Sequence, residues 1–191
     1  GNALCIVGDP IQAKSKVSKP QGEFWSIHPN GNYDIKESSS AAHLYGKKIA
    51  SAEAYTDVKF SASLADIKSL ADYAYAFGIN EFVICASAYQ PGLDKIPGST
   101  GGGRHYAMNR NNTFWKYSAP FWDYQARNAY IMRQGKSSID LCVYLGENAP
   151  VKILTYRLPD IPGGFYFDAF TSHALLTRMD APNGMIVLPE G

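Results

Sequence analysis

The sequence is poor in the features that several classes of protein require. It has three cysteines, Cys5, Cys85 and Cys142, and no Cys-x-x-Cys pair, which argues against a zinc or redox site. A formal net charge of +1 and the lack of any Lys- or Arg-rich run argue against a nucleic-acid-binding surface. No stretch approaches the roughly 20 apolar residues of a membrane span. The glycines at 101–103 lack the Lys-Ser/Thr of a phosphate-binding loop.

What the sequence does contain is a regular alternation of short apolar runs and helical patterns. The apolar runs are nearly continuous, which is typical of parallel strands covered on both faces. Strands are predicted at 3–7, 49–54, 81–87 and 139–144. Helices are predicted at 38–45, at 64–77 between an N-cap at Ser63 and Gly78, and at 113–134 with Pro120 in its second turn. Strand–helix repeats of this kind give right-handed βαβ units and a parallel sheet.

The number of repeats sets the domain prediction. Four units fit before Gly146, whereas a closed eight-stranded barrel takes about 250 residues. Residues 1–149 are therefore predicted to form the second half of a (β/α)8 TIM-type barrel, which is an α/β fold. Residues 150–191 are predicted to form the beginning of a second α/β module, with strands at 151–158, 165–170 and 185–188 and a helix at 173–179. A half barrel leaves two open sheet edges, so we expect a dimer or an exchanged strand.

Two glutamates are the candidate catalytic residues. Glu53 stands near the end of the apolar run 49–54, where barrel strands carry their chemistry. Glu23 is predicted in a loop after the first strand, beside Phe24 and Trp25. Two carboxylates with aromatic neighbours are what cleavage of a glycosidic bond requires. Each glutamate also has a non-catalytic interpretation. Glu53 would be a buried residue paired with a cation for structural reasons, and Glu23 would be a surface residue in a turn.

Polar residues follow the third predicted strand in a long loop. His105, Asn109 and Arg110 lie there, after the glycines, and their side chains suit hydrogen bonds to sugar hydroxyls. A solvated loop is the alternative. His43 lies in a short amphipathic helix, where ordinary packing is the alternative to a functional role.

Several segments together resemble a known enzyme family. They are Gly22-Glu23-Phe24-Trp25, the helix and strand at 39–46 and 50–56, the run from His105 through 109–115, and the tail segments 164–169 and 184–189. In this order they resemble the family 106 glycoside hydrolases, the α-L-rhamnosidases, over nearly the whole chain. One departure is the run 85–90, Cys-Ala-Ser-Ala-Tyr-Gln, where relatives often carry histidines.

The resemblance implies several properties. It implies a barrel cleft, inversion at the anomeric carbon, a calcium ion near the sugar with no ligand assigned, a flavodoxin-like module after residue 150, and an extracytoplasmic bacterial location. It implies Glu53 and Glu23 as catalytic residues. The candidate sugar contacts are Trp25, His43, Tyr55, Tyr89, Gln90, His105, Asn109, Arg110 and Trp115.

The resulting hypothesis is hydrolysis of a terminal α-linked deoxysugar in an oligo- or polysaccharide. Glu53 would activate water as the base, and Glu23 would be the acid or would hold the sugar, with an acid outside these residues as a further possibility. The alternatives are a non-catalytic carbohydrate-binding fragment and a folding unit of a larger hydrolase that is inactive alone.

Overall fold

Parallel strands and helices alternate through the part of the chain that the computed structural model describes, residues 8–25, 33–100, 108–153 and 158–189. The strands are β1 (Gln21–Trp25), β2 (Ser51–Thr56), β3 (Glu81–Ile84), β4 (Leu141–Tyr144) and β5 (Phe167–Phe170). The helices are α1 (Pro10–Ser15), α2 (Tyr33–Leu44), α3 (Leu64–Ala76), α4 (Ala119–Met132) and α5 (Ser172–Arg178). The predicted α/β class with parallel strands is confirmed. The predicted first strand at 3–7 lies outside the described residues.

The strands form two parallel sheets. In the first, β2 lies between β1 and β3, with Gln21 opposite Ser51 and Ser51 opposite Glu81. In the second, β4 pairs with β5, with Leu141 opposite Phe167. The barrel and the flavodoxin-like module stay predictions, since the described strands are three in one sheet and two in the other.

The second sheet joins the two predicted domains. β4 precedes residue 150 and β5 follows it, and the Val151 N–H donates to the Gly8 carbonyl at 2.8 Å. A buried cluster on this side includes residues from both segments: Ile11, Ala41, Leu44, Ile153, Ala169, Phe170 and Ala174. The division into 1–149 and 150–191 stays a prediction.

Helix α3 follows its local signals closely. The Ser63 hydroxyl accepts from the Asp66 N–H at 3.2 Å, and the Asp66 carboxylate accepts from the Ser63 N–H at 2.7 Å, which completes the capping box. Gly78 follows the helix with φ +91°, the left-handed conformation expected there. The apolar face of α3, including Ile67 and Ala71, packs into the main core with Phe24 and Phe121. α3 therefore fixes the position of β2 from one side.

Two other helices differ from their predicted bounds. α2 begins at Tyr33, five residues before the predicted start. The prediction missed the first turns because they bury polar side chains in ion pairs and therefore show no apolar pattern. α4 begins at Ala119, with Pro120 in its first turn, where the missing N–H costs nothing. A short 3-10 helix, Trp115–Tyr117, precedes it.

Candidate active site

The two candidate glutamates lie side by side on neighbouring parallel strands. Glu23 of β1 is the register partner of Glu53 of β2, and adjacent strands are about 4.8 Å apart. Phe24, Ala52 and Ala54 are buried in the core, so the strand alternation turns both glutamates to the opposite face. The prediction that Glu23 lies in a loop is wrong, because Gln21–Trp25 pairs with β2.

Glu23 is held from its backbone and from its side chain. Its N–H donates to Asp34 Oδ2 at 2.9 Å, and its carboxylate accepts the Trp25 indole N–H. The side chain of Glu23 is buried, whereas Trp25 is 40% exposed. Trp25 thus has a partly open surface beside a buried carboxylate, and its predicted contact with sugar stays a prediction.

Gly22 allows α2 to close against β1. A Cβ at this position would lie 2.6 Å from the Asp34 carbonyl oxygen and 2.7 Å from the Ser38 hydroxyl oxygen. Any side chain at residue 22 would push the helix away from the strand. The carboxylate of Asp34 would then lose its contact with the Glu23 backbone.

A buried cation anchors Asp34. Lys14 Nζ lies 2.5 Å from Asp34 Oδ1 and 3.5 Å from Glu37 Oε2, and Lys14 is 2% exposed. Glu37 Oε1 accepts the Ile153 N–H at 3.0 Å. Burial raises the pKa of Glu37 to about 7, although the Lys14 charge opposes the rise. Sequence reasoning missed Lys14, Asp34 and Glu37, because no local pattern links residue 14 to residues 34 and 37.

Glu53 receives contacts from the strand ends on its own side. The Thr56 hydroxyl donates to Glu53 Oε1 at 3.3 Å. The Cys85 N–H donates to the Ala54 carbonyl at 3.0 Å, which extends the pairing of β2 and β3 by one residue. Burial raises the pKa of the Cys85 thiol above its usual value, and the neighbouring Glu53 and Glu23 carboxylates raise it further.

Tyr55 does not belong to the site, and the prediction that it binds sugar is corrected. Simple alternation would place residues 53 and 55 on one face. Instead β2 contains an irregularity: Glu23 faces Glu53, but Trp25 faces Thr56, and Tyr55 has φ +69°. This bulge turns the Tyr55 ring into the core, where it packs edge-on against Phe24 and its hydroxyl accepts from the Gln125 amide. The same bulge brings Thr56 to Glu53.

His43 lies in a different polar cluster. Its Nδ1 is 2.8 Å from Asp168 Oδ2, and its Nε2 is 2.7 Å from the Ser137 hydroxyl. Lys36 Nζ lies 3.0 Å from Asp168 Oδ1, and the Ser40 hydroxyl donates to the same oxygen at 2.9 Å. Burial disfavours ionisation of Asp168, but the His43 hydrogen bond and the Lys36 charge outweigh it and keep its pKa below the ordinary value. His43 therefore helps to hold α2 to β5, and no described contact joins it to Glu23 or Glu53.

Gln90 and Arg110 bind the loop that follows β3. Arg110 Nη2 donates to the carbonyls of Gln90 at 2.8 Å and Gly92 at 2.9 Å. The Gln90 amide oxygen accepts the Ser99 N–H at 3.0 Å. Both side chains therefore hold the loop, and their predicted contacts with sugar stay predictions. Tyr89, at the base of this loop, is 83% exposed.

Two further candidates, Asn109 and Trp115, precede α4 in the chain. Asn109 is buried, and its side-chain oxygen accepts the Asn111 N–H at 2.9 Å. The Trp115 ring packs edge-on against Trp122 at 6.3 Å and is partly exposed. His105 lies outside the described residues. Sugar contacts for Tyr89, Asn109, Trp115 and His105 stay predictions.

The described residues offer no metal centre to which calcium could be assigned. Among them, no three His, Cys, Asp or Glu side chains converge as a metal-binding group. Calcium also takes backbone and amide oxygens as ligands, and the calcium ion implied by the family resemblance stays a prediction. Within the same ranges, no helix has the length and apolar character needed to cross a membrane.

The arrangement suits proton transfer beside a bound ring. The Glu23 carboxylate is buried against an indole N–H, and the neighbouring Glu53 carboxylate is half-buried and accepts from a hydroxyl. A positioned carboxylate of this kind can take a proton from water or hold a hydroxyl group. The exposed face of Trp25 offers an apolar surface next to both groups.

The chain is similar to known proteins in sequence and in fold. The family profile described as alpha-L-rhamnosidase, glycoside hydrolase family 106, matches residues 1–191. A protein of Formosa agariphila named "Putative beta-glucuronidase" is 35% identical over 175 residues, which cover 88% of this chain and 14% of that protein. A solved rhamnosidase structure from Novosphingobium sp. PP1Y superposes on this chain with a TM-score of 0.85 and 25% identity. The matched region covers 96% of this chain and 18% of the solved chain. The chain thus spans less than a fifth of each of these two relatives.

Proposed function

The chain belongs to glycoside hydrolase family 106, the α-L-rhamnosidases, and from this premise we propose that the whole protein hydrolyses a terminal α-L-rhamnoside or a similar deoxysugar in a polysaccharide, with inversion at the anomeric carbon. The observation that carries the proposal is the pairing of Glu23 with Glu53 on neighbouring strands, beside the exposed face of Trp25. Two carboxyl groups and a flat apolar surface are the minimum for binding a sugar and cleaving its bond.

We assign the base to Glu53. It is less buried than Glu23, and its carboxylate accepts a hydrogen bond from the Thr56 hydroxyl at 3.3 Å. A base must reach water, and Glu53 meets this condition better than the buried Glu23.

We assign Glu23 to holding the sugar. In-register strands are about 4.8 Å apart, whereas an inverting acid–base pair needs about 6.5–9.5 Å between its carboxyl groups to admit water. The adjacency of Glu23 and Glu53 therefore fits one base and one sugar contact better than an inverting pair. The acid that protonates the leaving oxygen would then come from another part of the protein.

The test uses Glu53→Gln in the whole protein. This change keeps the shape and removes the charge, so we expect the rate on an aryl α-L-rhamnoside to fall by about 10²–10⁴-fold. Glu147→Gln, an exposed glutamate near the end of β4, is the matched control and should leave the rate unchanged. A wild-type rate in Glu53→Gln, with the fold intact by circular dichroism, would remove Glu53 from the mechanism.

Two further measurements define the reaction. Proton NMR of the first product should show the inverted anomer, and a retained anomer would instead make Glu23 and Glu53 a nucleophile–acid pair, whose carboxyl groups lie about 5–5.5 Å apart. Because the Formosa relative is named as a glucuronidase, an aryl β-glucuronide belongs in the substrate panel. If the glucuronide is hydrolysed preferentially, a glucuronic acid residue would replace the deoxysugar as the proposed substrate.

A second candidate is that these 191 residues alone bind sugar without hydrolysing it, or are an inactive folding unit. The chain's small share of its relatives' length favours this possibility for the isolated chain. Calorimetric binding of rhamnose with no product after long incubation would support it.

Location and assembly are part of the same proposal. A polysaccharide substrate places the enzyme outside the bacterial cytoplasm. Within the described sheets, β1 and β3 are edge strands, so pairing with further strands, from a second copy or from the rest of the protein, is expected. Light scattering of the 191-residue chain at high concentration tests the dimer, and a clean monomer would count against it.

A further inference from the structure

We propose that Ser137, His43 and Asp168 form a second catalytic site, a Ser-His-Asp triad that hydrolyses carboxylic esters at the Ser137 hydroxyl. The three side chains come from separate parts of the fold: the segment between α4 and β4, the last turn of α2, and β5. The reaction uses neither Glu23 nor Glu53, so it is independent of the proposed glycoside hydrolysis.

The hydrogen bonds run in the order of a triad. His43 Nδ1 lies 2.8 Å from Asp168 Oδ2, and His43 Nε2 lies 2.7 Å from the Ser137 hydroxyl oxygen. One ring nitrogen thus faces the carboxylate and the other faces the hydroxyl. Because a triad is recognised by this geometry and not by the order of its members along the chain, the arrangement assigns nucleophile, base and orienting carboxylate.

The surroundings of Asp168 set the protonation of the imidazole. Asp168 is 3% exposed, and its Oδ1 accepts from the Ser40 hydroxyl at 2.9 Å and lies 3.0 Å from Lys36 Nζ. Burial opposes ionisation of Asp168, but the His43 hydrogen bond and the Lys36 charge hold its pKa below the ordinary value. An ionised carboxylate only accepts hydrogen bonds, so Nδ1 of the neutral ring carries the proton and Nε2 accepts from Ser137.

Exposure rises from the carboxylate to the serine. Asp168 is buried, the His43 side chain is 18% exposed, and Ser137 is exposed. The buried end of the triad keeps the imidazole oriented, since Ser40 and Lys36 fix Asp168 from α2. The exposed end leaves the hydroxyl open to an ester that arrives from solvent.

The reaction consumes one ester and one water molecule. The Ser137 oxygen forms a bond to the acyl carbon and gives its proton to His43 Nε2. The bond from the acyl carbon to the alcohol oxygen breaks, and that oxygen takes the proton from Nε2. Water then attacks the acyl-serine and gives a proton to Nε2, which returns it to the Ser137 oxygen as the carboxylic acid leaves. The Ser137 and Ser138 N–H groups are the nearest backbone donors along the chain for the oxyanion of each step.

The first test measures the reactivity of Ser137 directly. The whole protein is treated with a fluorophosphonate, which phosphonylates activated serines with loss of fluoride, and the modified peptides are mapped by mass spectrometry. Ser137 should be labelled, and the adjacent exposed Ser138 should not. His43→Gln, with its fold checked by circular dichroism, should lower the labelling rate of Ser137 at least a hundredfold. An unlabelled Ser137, or equal labelling of both serines, overturns the proposal.

The second test measures turnover of p-nitrophenyl acetate by the whole protein. Ser137→Ala should lower the rate by about 10²–10⁴-fold, and the matched control Ser138→Ala should leave it unchanged. Because Ser137 is exposed, its alanine variant should unfold at the wild-type temperature, so a loss of turnover reports chemistry and not a damaged fold. A Ser137→Ala variant as active as wild type would show that Ser137 only ties its segment to α2, and the proposal would fail.

Discussion

Glu37→Gln should stabilise α2, the helix that packs against the candidate site, at alkaline pH and have no effect at acid pH. Glu37 shares a buried space with one cation, Lys14, and a second carboxylate, Asp34. With Glu37 protonated, the Lys14–Asp34 pair is electrically balanced. With Glu37 ionised, the group carries a net negative charge out of contact with water, which is unfavourable.

The size of the effect follows from the pKa. A value of about 7 in the folded protein against an ordinary 4.5 corresponds to about 3 kcal/mol, at about 1.36 kcal/mol for each pKa unit. Since the folded state binds this proton more tightly than the unfolded state, the contribution to stability is complete below pH 4.5 and is lost as the pH rises through 7. Glutamine stays neutral and keeps the acceptor for the Ile153 N–H, so the stability of the variant does not fall as the pH rises.

Hydrogen exchange of the whole protein, measured peptide by peptide, is the suitable assay. At pH 8, amides of α2 should exchange about a hundredfold more slowly in Glu37→Gln than in wild type, the equivalent of about 3 kcal/mol. At pH 4.5 the two proteins should exchange alike. Peptides from α3, which is not part of the Glu37 cluster, are the internal control at each pH. Equal α2 exchange at pH 8, or faster exchange in the variant, would refute the electrostatic reasoning.

Three other substitutions test the supports of the site. Gly22→Ala forces a Cβ to 2.6 Å from the Asp34 carbonyl oxygen, so we expect a loss of about 1–3 kcal/mol in the free energy of unfolding, measured by urea titration, together with lower activity; an alanine variant as stable as wild type would contradict the close approach. Ser63→Ala removes the N-cap of α3 and should cost about 1 kcal/mol in the same titration, while Ser61→Ala, just outside the capping box, should cost nothing measurable. Asp168→Ala leaves buried Lys36 without its carboxylate and should cost about 3–5 kcal/mol by thermal unfolding; a small loss would mean that water reaches Lys36.

Local signals in the sequence predicted the elements whose contacts are local. The Ser63–Asp66 box and Gly78 set the ends of α3, because capping atoms lie within a few residues of each other. The apolar run around Glu53 predicted a strand for a similar reason. The strand Gln21–Trp25 was missed, because a five-residue segment with a glycine and a glutamate becomes a strand only through its pairing with β2.

The candidate site was predicted in part. Glu23 and Glu53 lie on neighbouring strands, and the Trp25 indole contacts Glu23; their roles stay predictions. Tyr55 was placed wrongly, because alternation assumes a regular strand and a bulge reverses the face. The partners of Gln90 and Arg110 within their loop were missed, because no spacing reveals the path of that loop, and their contacts with sugar stay predictions.

The sequence by itself determined the family and the parallel α/β class, since these depend on motif order and on periods of a few residues. Only the tertiary structure decided which side chains share a space, such as Lys14 with Asp34 and His43 with Asp168. The physical reason is that burial makes an isolated charge or donor costly, so each takes the nearest partner that packing supplies. For His43 and Asp168 that partner is 125 residues away along the chain, beyond the reach of any local pattern.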